Sequence, residues 1–100
     1  MIIINNEDLN LFDDNMSLIL DYSLEFENYC DDTGEEPEKL IEIYNDIEKL
    51  RKEKDKLDYN DKIKRSEDII KRFQILIEVV GKEKFKFNDD GNFFYIWNKK

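Results

Sequence analysis

The chain has 100 residues, 40% of them hydrophobic and 41% charged, with a net charge of −9. That is one domain's worth of chain, residues 1–100, with apolar residues patterned closely enough to build one modest core rather than a disordered coil. With no His and Cys30 as the only Cys, it has no internal disulfide, no zinc site built on His and Cys, and no Ser-His or Cys-His nucleophile.

The N-terminal segment MIIINNEDLN lacks the basic region and long apolar run of a signal peptide, and no stretch approaches the roughly 20 apolar residues that span a bilayer. A cytoplasmic protein is the expectation, in a reducing compartment given its cysteine usage. Thirteen Ile, 13 Lys, 10 Asn and no Ala are the mark of AT-rich coding, which points to a low-GC bacterium or a phage or mobile element within one.

Ile2–Ile4 and Leu9–Phe12 read as extended, with Asp13-Asp14-Asn15 as a turn. Met16, Leu18, Leu20, Tyr22, Leu24 and Phe26 then alternate with Ser17, Asp21, Ser23, Glu25 and Glu27, Ile19 being the exception. Alternation of period two predicts a strand with Leu20, Tyr22 and Leu24 buried and Asp21, Ser23 and Glu25 exposed. The first element is therefore an expected hairpin, followed by a loop from Asp31 to Glu36.

Pro37 suits a first helical position, and Leu40, Ile43, Tyr44, Ile47 and Leu50 repeat at helical spacing. The stripe resumes at Leu57 and runs through Ile63, Ile69, Ile70, Phe73, Leu76, Ile77 and Val80 to a stop at Gly81, with Asp58 or Asn60 as its cap. Two antiparallel helices are the simplest reading; one continuous helix is the alternative. Phe85 and Phe87, the turn Asn88-Asp89-Asp90-Gly91, and the return from Asn92 to Trp97 form a second hairpin. The expected fold is α+β: an antiparallel sheet of two hairpins with a helix pair on one face, in the order β-β-α-α-β-β.

Charge is divided along the chain. Residues 1–50 hold 15 acids against two cations, residues 51–100 hold 10 acids against 14 cations, and the first cation is Lys39. An acidic surface repels nucleic acid and anionic membranes and attracts basic proteins, many of which bind nucleic acid. It also serves plain solubility. On the strand reading, Asp21, Glu25 and Glu27 share the outer face and Asp31, Asp32, Glu35 and Glu36 continue from it; these seven are the candidate partner-binding residues.

Other chemistries find little support. Aligning Gly91 or Gly34 with the glycine of a calcium-binding helix-loop-helix places Lys86 and Trp97, or Tyr29 and Leu40, where acidic ligands belong. There is no glycine-rich phosphate loop, and no metal or cofactor is implied. The cations of RKEKDK and of Lys62, Lys64, Arg65, Lys71 and Arg72 are interleaved with Glu53, Asp55, Asp58, Asp61, Glu67 and Asp68, as on a solvated helix face. Phe93–Trp97 is apolar on both faces, so it is either covered within the fold or a partner surface.

In type, though in no motif, this profile resembles the small acidic inhibitors of phages and mobile elements, including anti-CRISPR and toxin-immunity proteins. It points to a non-enzymatic inhibitor that presents phosphate-like carboxylates to a basic partner, a nuclease or other nucleic-acid-binding effector, and occludes its site. The chain itself would bind neither nucleic acid nor membrane. The alternative is a homo-oligomer, a dimer first of all, or an adaptor burying Phe94, Ile96 and one helix face. A carboxylate enzyme is a third.

Overall fold

The computed structural model describes residues 6–89 and 92–97, without the side chains of residues 6–10. Three helices, α1 (Asn6–Thr33), α2 (Glu38–Glu53) and α3 (Tyr59–Val80), precede a single antiparallel hairpin of β1 (Phe85–Phe87) and β2 (Phe93–Tyr95). This overturns the expected order β-β-α-α-β-β: residues 6–33, which include the expected second strand, form α1, and among the described residues the sheet has two strands. The proposed first strand Ile2–Ile4 lies outside the described residues, as do Asp90 and Gly91 of the second hairpin's turn.

The reason lies in the spacing of the buried residues. Phe12, Asn15, Ile19, Tyr22, Phe26 and Tyr29 are buried in steps of three and four, which trace one stripe of a helix. Leu20 and Leu24, placed in the core by the strand reading, are each 50% exposed, while Ile19 is 1% exposed. Tyr22 and Phe26 belong to both patterns, so the alternation mimicked a strand. Asp21 and Glu25 fall beside the stripe rather than in it. Asp31 and Asp32 are helical rather than part of a loop, because α1 continues to Thr33 and stops at Gly34. The Gly34 N–H donates to the Cys30 carbonyl at 2.8 Å with φ +73°, a left-handed cap that only glycine adopts freely.

α2 carries Leu40, Ile43, Ile47 and Leu50 in the same three-four rhythm. Pro37 sits one position earlier than expected, as the cap, and its carbonyl accepts from the Leu40 and Ile41 N–H groups. The two later helices are separate, joined by a 3₁₀ turn, Lys54–Lys56. Asp58 caps α3 by accepting from the Asp61 N–H at 2.8 Å, and Gly81 ends it at φ +121°. Ion pairs Arg72–Asp46 and Arg65–Glu53 hold α2 antiparallel to α3.

α1 runs parallel to α3. Asn15 donates to the Ser66 hydroxyl at 3.0 Å, and seven residues later on both helices Tyr22 meets Phe73 edge-to-face at 5.7 Å. α2 and α1 are tied by the Tyr44 hydroxyl donating to the Ser23 carbonyl at 3.3 Å. The hairpin closes one end of the bundle. Phe85, Phe93 and Tyr95 point inward onto Tyr22, Phe26 and Tyr29, with Phe26 and Phe93 at 5.8 Å and Tyr22 and Phe93 stacked at 4.3 Å. Burying each such ring contributes about 1.5–3 kcal/mol. The opposite face of β2 is open: Phe94 is 44% exposed, and Ile96, just past the strand, 52%.

Candidate interaction surface

At 3.6 residues per turn, Glu25 and Glu27 stand roughly 160° apart around α1. The seven acidic candidates therefore do not form one strip. The helix deals them to two flanks.

Asp21, Glu25 and Asp32 lie on the flank that faces the hairpin. Glu25 Oε1 accepts the Tyr95 backbone N–H at 2.7 Å. Asp32 Oδ2 accepts the Tyr95 hydroxyl at 2.6 Å. Asp21 Oδ2 is 3.5 Å from the Asn92 amide nitrogen, a long contact. β2 has β1 on one edge only, and these carboxylates take up its other side. Glu25 and Asp32 are structural, and their half-buried position follows from that use.

Glu27 and Asp31, one turn apart, lie on the other flank and are exposed, as is Glu36 beyond the cap. Among the described residues none of these three makes a hydrogen bond or ion pair. Glu35 is also exposed but accepts from the Tyr29 hydroxyl at 3.1 Å, so it is partly engaged.

The three free carboxylates converge on Cys30. Burial pushes the thiol's pKa up, and Glu36, Asp31 and Glu27 push it further. Tyr44 across the α1–α2 seam is raised in the same way, first by burial and then by Glu27, Cys30 and Glu36. A thiol held protonated is a poor nucleophile, and Cys30 packs against the core as a half-buried residue. The last turn of α1 has no basic residue, so the negative end of its macrodipole adds to the carboxylates rather than being offset. Such a surface concentrates cations and basic groups. Among the described residues, no three or more His, Cys, Asp or Glu are placed to hold a metal ion, and no helix is long and apolar enough to cross a membrane.

The α1–α2 seam adds a feature absent from the sequence reading. Leu20, Ser23, Glu27, Tyr44, Ile47, Glu48 and Arg51 line one hollow of about 220 Å³. A second, of about 390 Å³, begins at the same Leu20 and Arg51 and continues past Met16 to Phe12, Asp13 and Lys54. The clue was the three-four stripe, which leaves Leu20 and Leu24 outside the core. Comparison with known proteins finds no matching family model, no similar curated protein and no similar solved structure.

Proposed function

We propose that the chain is a non-enzymatic inhibitor that binds a basic, nucleic-acid-binding partner protein and covers its site with carboxylates standing where phosphates would lie. The observation that carries this reading is the set Glu27, Asp31 and Glu36: exposed, near the C-terminal end of α1, and making no hydrogen bond or ion pair among the described residues. Glu25 and Asp32 leave the partner-binding set, because the hairpin uses them, and Asp21, exposed on their flank, stands apart from Glu27, Asp31 and Glu36. Glu35 stays at its margin.

The test is capture of a basic nucleic-acid-binding protein from host extract by the immobilised chain. Binding driven by charge is released as the Debye length falls from about 10 Å at 0.1 M salt to about 3 Å at 1 M, and competing DNA displaces it. The triple variant Glu27→Gln, Asp31→Asn, Glu36→Gln loses the partner while remaining folded. Retention of the same partner by that variant contradicts the proposal.

A second reading rests on Phe94 of β2 and Ile96 just after it, both exposed, which would bury against another copy in a homo-oligomer or against an adaptor's partner. It requires sedimentation equilibrium at micromolar concentration to give a mass well above the 12.2 kDa chain. The net charge of −9 opposes self-association, and a monomer is the expected result.

A further inference from the structure

We infer that the groove between α1 and α2 is a docking cleft for a basic amphipathic helix of the partner, a reading that rests on the partner being a basic protein. The two hollows meet at Leu20 and Arg51, and together their linings run along α1 from Phe12 to Glu27. Along α1 that is about 22 Å, the length of a four-turn helix at ~1.5 Å per residue. α1 and α2 are antiparallel and α3 lies behind them, so a helix laid in the trough would be the fourth of a bundle.

The floor is apolar: Phe12, Met16, Leu20, Tyr44 and Ile47. Leu20 is 50% exposed in the middle of it, and Leu24, one turn on, is equally exposed. Leu20 lines both hollows and suits an incoming apolar stripe at helical spacing, while Leu24 lines neither.

Charge selects the occupant. The α1 rim carries Asp13 and Glu27, with Asp31 beyond, and no cation. On the α2 rim Arg51 is already paired with Glu48 at 3.2 Å. Lys54 stands at the far end, in the same hollow as Asp13. Asp13 and Glu27, which make no hydrogen bond or ion pair among the described residues, stand on the α1 side, while Lys54 and Lys62, the latter 5.7 Å from the Phe12 ring, sit at the Phe12 end; the trough therefore fits a helix whose Lys or Arg flank its apolar stripe toward the Glu27 end. A second copy of this chain would instead bring another net −9 against it.

The probe is a synthetic peptide of about 18 residues, roughly 27 Å as a helix, made of Leu, Ala and Lys with Leu at helical spacing and Lys on the flanks. A scrambled isomer without an apolar face and an isomer with Glu for Lys are its controls. Binding is measured by calorimetry in 0.1 M salt, and the site by amide NMR shifts. The Lys peptide binds, with shifts confined to residues 12–27 and 44–54. Leu20→Glu weakens it about tenfold or more, as loss of an apolar anchor does, although the change adds negative charge. Ile75→Glu, at a somewhat more exposed position on α3, leaves binding unchanged.

Equal or tighter binding to the Leu20→Glu protein overturns the proposal, because charge alone would then suffice. So does equal binding of the scrambled or the Glu peptide, a site mapped to the hairpin, or a wild-type dimer that Leu20→Glu dissociates. The two readings fail separately. If the host partner stays bound to Leu20→Glu protein but leaves the Glu27/Asp31/Glu36 variant, the carboxylate surface stands and the groove falls; if it leaves the Leu20→Glu protein only, the groove stands alone.

Discussion

Glu25 and Glu27 are two residues apart and have unrelated tasks, one accepting a strand's backbone N–H and the other facing solvent. Tyr95 shows how far the first task extends. Its N–H goes to Glu25 and its hydroxyl to Asp32, and burial, then that hydrogen bond and the Asp32 charge, push its pKa up to about 12. A phenol whose folded pKa lies above its unfolded value of about 10 adds stability that is complete below pH 10 and lost as pH rises toward 12. Urea unfolding across that window should show a fall in stability that Tyr95→Phe reduces. At pH 7 Tyr95→Phe should cost about 1.5–3 kcal/mol, the usual range for a hydrogen bond to a charged group.

The buried Asn15–Ser66 pair is the other polar commitment of the core. Replacing both partners by apolar groups removes a hydrogen bond without leaving a buried donor unmatched. The double variant Asn15→Leu, Ser66→Ala is expected to match or exceed wild-type stability. Ser66→Ala alone is expected to be less stable, by about 1–3 kcal/mol, because it strands the Asn15 amide. Denaturant midpoints for the two variants check the ordering.

At the scale of elements, the later half of the chain was legible and the first third was not. Asp58, Gly81 and the stripes of α2 and α3 carry cap and period signals that do not depend on distant contacts. The C-terminal hairpin showed itself through Phe85, Phe87 and the turn residues after them. α1 did not, because Met16 to Phe26 obeys period two except at Ile19, and because Asn15 interrupts the helical stripe with a polar residue. Its partner, Ser66, is 51 positions away and invisible to a local pattern. The scarcity of β-branched residues in this stretch was the available warning, since strands favour them and helices favour Leu, Met and Glu. Ile19 and Leu20 now separate the two folds. Ile19→Ala should cost about 2–5 kcal/mol and Leu20→Ala no more than about 0.5 kcal/mol. The strand reading demands the reverse order.

The same error explains how much of the candidate site was legible. Composition alone marked the acidic third of the chain, but which acids share a face depends on the period. Period two grouped Asp21, Glu25 and Glu27; a helix groups Asp21, Glu25 and Asp32 against Glu27 and Asp31. The groove was not legible at all, because it exists only once α2 lies antiparallel beside α1 with α3 behind both.

At the scale of the whole molecule, the cation-free first third is built into the fold on one flank and left over on the other. The central claim is this division, and it is tested most directly by comparing two triple variants in equilibrium urea unfolding. Asp21→Asn, Glu25→Gln, Asp32→Asn weakens the charged acceptors that hold β2 and should lose about 2–5 kcal/mol, summed over its hydrogen bonds. Glu27→Gln, Asp31→Asn, Glu36→Gln relieves repulsion at the negative end of α1 and should stay within about 0.5 kcal/mol of wild type or rise above it. Equal losses in the two variants, or a larger loss in the second, would contradict the account.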